Sequence, residues 1–292
     1  MKLKLTRRRF AQLMIASTAV TGLGYLGKNT YAQTSSMIYG VRADRQAGGL
    51  VLQSLNLATQ KIEDIATVSI ELGEQLNSLT YLAANTFLLT INPIRTGKKE
   101  NDPSRLVTVV MGQISSSVSI PELKKEEILQ SVLVTNDGSV IGLVHKKDKK
   151  SATLVNIDVK TGTISTIDKI KLSKDERFDN LAQSNEIIYT TTLGLQGDTS
   201  LRQLDLTKGQ VSQGVQLKID GTVWNSGFSS LASASGDIIY GLGNKRYNTP
   251  NNLYTINVST GAMTLLQQWD VVKITTNVSS LMGNVGGIFN LL

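Results

Sequence analysis

A chain with no cysteine and one histidine, His145, has few ways to do chemistry. Disulfides, thiolate nucleophiles, cysteine-held metals and multi-histidine metal sites are all excluded. His145 is followed by Lys146 and Lys147. A general base needs an acidic partner to orient it, and this neighbourhood is positive. His145 is therefore expected to be a loop residue at the end of a strand. What remains is carboxylates, which in converging pairs can act as acid and base or nucleophile on a glycosidic bond, and cations, which can hold an anionic ligand.

The formal charge is +7, but residues 1–32 hold Lys2, Lys4, Arg7, Arg8, Arg9 and Lys28 and no acid. Without them, 24 basic residues stand against 23 acidic ones, a balance of +1. A general electrostatic case for nucleic acid fails on that distribution. Thr6-Arg7-Arg8-Arg9-Phe10 resembles the twin-arginine export motif, although Ala11 and Gln12 replace the usual Leu and Lys. The stretch Leu13 to Leu26 that follows is weakly apolar. At about 14 residues it is short of the ~20 that span a bilayer. Thr30-Tyr31-Ala32 places small residues at the outer and inner cleavage positions, which predicts a cut before Gln33. Residues 1–32 are expected to be a signal peptide and 33–292 the working domain, in the periplasm or another extracytoplasmic compartment such as the thylakoid lumen. No stable membrane span is expected after cleavage.

From residue 33 one pattern recurs about every fifty residues. Its clearest copy runs Ser230-Leu231-Ala232, Asp237-Ile238-Ile239-Tyr240-Gly241, Leu253-Tyr254-Thr255-Ile256-Asn257-Val258, the turn Ser259-Thr260-Gly261, and Ala262 to Leu266. Each piece reads as a short strand bounded by turn residues, four to a unit. The third strand and its turn return at Leu154 to Ile164 and Leu201 to Val211. Weaker copies lie at Leu50 to Ile62, with Gln60 in place of Gly, and Leu106 to Ile114. Asp158, Asp205 and Asn257 are expected to cap their turns through their side chains, with Gly in the left-handed position.

Second strands begin near Met37, Phe87, Val140, Ile187, Ile238 and Ile288. Regular four-strand units with no helical period between them predict β-propeller blades. The order of motifs resembles the YVTN and quinoprotein-like class of propeller repeats over most of residues 36–290. That resemblance implies fold and not activity. The tryptophan docking motif of the pyrroloquinoline-quinone enzymes is not seen, and no cofactor and no metal are expected. The chain is thus expected to be all-β: five blades, the first completed by a C-terminal strand Val278-Ser279-Ser280-Leu281, with six blades, one partial, as the other arrangement.

Long connections between second and third, and fourth and first, strands all emerge on one face, the expected site. The second-to-third loops carry a surplus of cations, among them Arg42, Arg45, Arg95, Lys146, Lys147, Lys245 and Arg246. This rim could take an acidic protein or polymer, or be no more than a solvated edge. Trp224 on a fourth-to-first loop could stack on a sugar or pack under its own loop. Aligning first strands on Leu79, Leu133, Leu181, Leu231 and Leu281 puts Asn77, Ser131, Asp179, Ser229 and Ser279 around the axial mouth. One acid, Asp179, among small neutral residues argues against glycoside hydrolysis. No catalytic residues are expected. The expectation is an exported, non-enzymatic, monomeric binding propeller, against the alternative of a propeller hydrolase or lyase acting on a polysaccharide.

Overall fold

Short strands of alternating or wholly apolar residues, cut by Asn, Asp and Gly turns, cannot bury themselves singly and stack into sheets around an axis. The computed structural model describes residues 37–277 apart from 45–48, 72, 84, 95–101, 125, 147–150, 172–176, 195–196, 207–209 and 245–249. The signal residues Arg7, Arg8, Phe10 and Ala32 lie outside the described residues, as do Arg45, Arg95, Lys147, Lys245, Arg246 and the segment 278–292.

Five sheets form five blades, antiparallel throughout except for one short pair in the fifth. Blade 1 holds β1 (Met37–Asp44), β2 (Gly49–Asn56) and β3 (Lys61–Ser69). Blade 2 holds β4 (Glu74–Ala83), β5 (Thr86–Pro93), β6 (Arg105–Val110) and β7 (Gln113–Ser119). Blade 3 holds β8 (Glu127–Val134), β9 (Val140–Lys146), β10 (Ser151–Ile157) and β11 (Ile164–Lys171). In blade 4, β12 (Arg177–Ser184), β13 (Ile187–Leu193) and β14 (Thr199–Asp205) carry two short outer pieces, β15 (Gln210–Val211) and β16 (Val215–Gln216). The chain then crosses to the outer edge of blade 5. There β17 (Lys218–Ile219) pairs parallel with β22 (Ala262–Gln268), and β18 (Thr222–Val223) pairs with β17. The rest of blade 5 is β19 (Ser230–Ala232), β20 (Ile238–Gly243) and β21 (Asn252–Asn257). Blades 4 and 5 therefore depart from the expected four strands.

The ring closes as a C-terminal strand on the N-terminal blade, but with a different strand from the one expected. β23 (Lys273–Thr276) pairs antiparallel with β1, Val41 opposite Lys273 and Ile38 opposite Thr276. The expected closing strand, Val278 to Leu281, lies outside the described residues. After Lys273, Ile274-Thr275-Thr276 is a short run of aliphatic and hydroxyl residues, as is Val278-Ser279-Ser280-Leu281, and composition does not choose between them.

The core lies between blades, in five apolar clusters, one for each blade junction. The innermost strands make no ladder with their neighbours in the next blade, so their inner backbone groups need other partners. Hydroxyls supply them at every junction. Thr80 donates to the Val132 carbonyl at 2.9 Å. Ser131 accepts from the Leu181 amide at 3.1 Å, and Ser233 from Gln183 at 2.9 Å. Ser230 accepts from Ile274, and Thr275 from Tyr81, both at 3.1 Å.

The repeated turn behaves as expected where it is described. Asp158 accepts from the Lys160 amide at 2.8 Å, and Asn257 from Thr260 at 2.9 Å. In the weaker copy Asn56 accepts from Ala58 at 2.9 Å, and Gln60 takes the left-handed conformation at φ 56°. The turn glycines also dock onto the preceding blade. A Cβ on Gly162 would collide with the Ser119 carbonyl, one on Gly261 with that of Gln216, and one on Gly112 would come within 2.6 Å of the Ala66 Cβ.

Candidate functional site

The ends of the inner strands on the long-loop face are built irregularly. Ladder register breaks between Leu76 and Ser78 in β4, Leu129 and Ser131 in β8, and Phe178 and Leu181 in β12. The bulged residues are Asn77, Gln130 and the pair Asp179-Asn180. A bulge turns a side chain out of the ladder's alternation, and bulges recur beside sites for that reason. Asn77, Ser131 and Asp179, read from sequence as ring residues, are all buried at this level. Ser229 stands just before β19 and is half-buried.

The fifth position is a correction. β23 closes the ring, so the residue that begins it is Lys273, where Ser279 had been expected. Lys273 keeps some contact with solvent, yet its ammonium is surrounded by protein. It donates to the Ser229 carbonyl at 2.6 Å. Burial pushes its pKa down to about 8, and the Asp179 carboxylate acts in the opposite direction. Such a lysine exchanges its proton near neutral pH, unlike one on the surface. Asp179 itself is seated against the backbone: a Cβ on Gly227 would lie 3.6 Å from its Oδ2. Side-chain amides tie two of the blades to the next one in the ring. Asn180 donates to the Phe228 carbonyl at 2.9 Å and Asn92 to that of Leu129 at 3.2 Å. The signal that could have found Lys273 is a lone cation opening an otherwise Ile-Thr-Thr strand.

Two residues of the expected rim are described. Arg42 stands two residues before the end of β1 with Asp64 at 4.0 Å, and Lys146 ends β9 with Glu126 at 3.0 Å. Both share the Lys273 face, and both already have carboxylate neighbours. His145 is within β9, opposite Ile128 and Ala152, rather than in a loop. Trp224 is fully buried, stacked on Phe228 at 5.5 Å and edge-on to Tyr254 at 5.2 Å. It braces its own strap and presents no face to a sugar. Glu74, at the start of β4, accepts two hydrogen bonds from Arg105, at 2.9 and 2.7 Å, which hold it against β6. Among the described residues no group of three or more His, Cys, Asp or Glu side chains could hold a metal, and no helix is long and apolar enough to cross a membrane.

Fold and ring define the class: a five-bladed β-propeller whose inner ring carries a lysine and a carboxylate. An exo-beta-1,3-galactanase from Clostridium thermocellum superposes with a TM-score of 0.57 at 13% identity, over 85% of this chain and 63% of that one. TolB from Acinetobacter baumannii gives 0.45 at 12%, over 82% and 53%. A protein of unknown function from Bacteroides caccae gives 0.42 at 12%, over 82% and 98%. Likeness at these identities is a likeness of fold. No protein-family model matches the chain, and no curated protein matches it.

Proposed function

We propose that this chain is an exported, non-enzymatic propeller that binds an acidic protein or polymer on its long-loop face, with an anionic group of the ligand drawn towards Lys273. The observation that carries this reading is Lys273 itself, a cation at the axial end of that face, half-enclosed and beside a single carboxylate. Keeping an enclosed ammonium charged is costly, and a ligand anion would offset the cost. Arg42 and Lys146 stand on the same face, and their ion pairs are exposed enough for a ligand acid to compete with Asp64 and Glu126. The hydrolase reading needs a second carboxylate converging with Asp179, and the nearest inner-strand acid of β4, Glu74, is occupied by Arg105. The arginine pair Arg7-Arg8 with Phe10 supports export to the periplasm or an equivalent compartment.

The test uses residues 33–292 with polygalacturonate as the acidic polymer and an uncharged galactan beside it. Binding to the acidic polymer is expected, fading between 50 mM and 0.5 M salt. It should weaken about tenfold in Lys273→Met, and in a variant with Lys146, Lys147, Lys149 and Lys150 changed to Ser. Lys160→Ser, on a turn of the opposite face, should leave it unchanged. Equal affinity for both polymers, or release of shortened chains from either, would overturn the reading. For export, Arg7→Lys with Arg8→Lys should leave precursor in the cytoplasm.

A further inference from the structure

We propose that the C-terminal segment 288–292 adds as a further strand to the outer edge of blade 2, along β7, with its apolar side chains on Ile65, Met111 and Ile114. This concerns the rim of the disc and does not depend on the polymer-binding reading.

The outer strands of the blades manage their open edges in two ways. β3 carries Lys61, Glu63 and Asp64, and β11 carries Asp168, Lys169 and Lys171. Charges on an edge discourage pairing with other chain segments. β22 carries no charge, and it is the edge on which another strand lies: β17 pairs with it at Ala262 and Met263. β15 and β16 are only two residues each. β7 carries no charge either, runs for seven residues and is exposed at all of them but Val118. No described strand pairs with its outer side.

The place at which β17 joins β22 has a counterpart on β7. In blade 5 the pairing comes directly after the turn glycine Gly261 and before Leu266, which falls out of register with β21. In blade 2, Gln113 and Ile114 follow the turn glycine Gly112 and precede Ser115, which falls out of register with β6. An apolar surface stands beside these two residues. Met111 is 77% exposed, Ile114 47% and Ile65 40%. Gly112 seats its turn against Ala66 and the Ile65 carbonyl, so the three belong to one rim between blades 1 and 2.

The occupant follows from the chain that ring closure leaves over. β23 ends at Thr276, opposite Ile38, and so delivers the chain to the tight-turn face, the end from which β7 starts. Val278 to Leu292 contains no charged residue, and Ile288-Phe289-Asn290-Leu291-Leu292 has the apolar composition of a strand. Eleven residues, 277–287, lie between Thr276 and Ile288. Their reach is about 36 Å at most, against roughly 15 Å across the four strands of a blade. On β3 or β11 these apolar side chains would desolvate charged groups, at a cost. On β7 they meet serines and exposed aliphatics.

The experiment uses the absence of cysteine. In residues 33–292, Asn290→Cys is combined in turn with Gln113→Cys on β7, Glu63→Cys on β3 and Lys169→Cys on β11, all three exposed positions, and treated with a short bis-maleimide. β3 belongs to the blade that β23 completes, so an undirected segment would link there at least as readily as to β7. The pair with Gln113→Cys is expected to link about tenfold faster than either control, and within one molecule. Amide exchange is the second measurement. β7 amides should exchange about tenfold more slowly in the wild type than in the double variant Phe289→Asp with Leu291→Asp, while those of β3 and β11 stay the same. Both substitutions lie beyond β23 and leave ring closure intact. Equal linking on β3 and β7, linking only between molecules, or β7 exchange that the double variant leaves unchanged would overturn the proposal.

Discussion

The indole N–H of Trp269 donates to Gln53 Oε1 at 3.0 Å, joining two residues 216 positions apart in the chain. Gln53 in turn donates to Asp64 at 2.6 Å, and Asp64 faces Arg42. Gly40 leaves the space that the indole fills: a Cβ there would sit 2.8 Å from the ring. The bond lies at the junction of blades 5 and 1, where the ends of the ring meet. Trp269→Phe should lower stability by about 1–2 kcal/mol through the buried Gln53 acceptor it strands. Trp269→Ala should cost about 3–5 kcal/mol, because it also leaves a cavity. Urea unfolding measures both, and a Trp269→Phe variant as stable as the wild type would mean the hydrogen bond contributes nothing beyond ring packing.

Closure by β23 makes a sharp prediction for truncations. A chain ending at Thr276 keeps every pairing of β1 with Lys273–Thr276 and should fold as a soluble monomer. A chain ending at Val272 loses them, leaving β1 as an open edge prone to pairing with other molecules. Limited proteolysis and size-exclusion chromatography separate the outcomes. If both truncations aggregate, residues beyond 276 contribute to closure.

What the sequence made legible was what local chemistry determines. The Asn or Asp cap and the left-handed residue specify the turn within a few positions, so even the copy with Gln60 could be found. The strand period gave five blades for the same reason. Closure was half legible. An unpaired β1 implied a C-terminal partner, but Ile274 to Thr276 and Val278 to Leu281 are both short runs of aliphatic and hydroxyl residues. Packing such as Trp269 beneath Gly40 decides between them. The ring lysine was missed with the strand. The crossing of β17 to β22 was also beyond reach, because a two-residue parallel pair leaves no periodic trace.

The turn glycines allow backbone strain and crowding to be separated. Gly162 and Gly221 have nearly the same φ, 74° and 77°. A Cβ on Gly221 would meet nothing within 4 Å, whereas one on Gly162 meets the Ser119 carbonyl. Gly221→Ala should therefore cost only about 1–2 kcal/mol of left-handed strain. Gly162→Ala should cost about 1–3 kcal/mol more, as overpacking between blades 2 and 3. Equal losses in thermal or urea unfolding would mean that the blades shift to admit the methyl group at no cost.

The pH dependence of stability tests Lys273 without any ligand. Burial, partly offset by Asp179, lowers its pKa from 10.5 to about 8 in the folded chain. Between those values the unfolded chain holds a proton that the folded chain has released. Stability from this group therefore rises with pH from about 8 to 10.5, and below pH 8 the full penalty of the enclosed ammonium is present. That penalty is at most about 3 kcal/mol, and less to the extent that solvent reaches the group. Lys273→Met removes the penalty but strands the Ser229 carbonyl and deprives Asp179 of its cation, so its net effect at pH 7 is small. The slope gives the test. Wild type minus Lys273→Met, measured by urea unfolding at pH 7, 8, 9 and 10, should become steadily more favourable to wild type above pH 8. Tyr39 and Tyr81 are also perturbed, raised by burial, Tyr81 to about 12, and so weaken the fold only above pH 10. They are common to both proteins and cancel in the difference. In Asp179→Asn the rise should begin below pH 8, because the charge that favours the ammonium is gone. Parallel stability curves for wild type and Lys273→Met from pH 7 to 10 would show that the ammonium is solvated like any surface lysine.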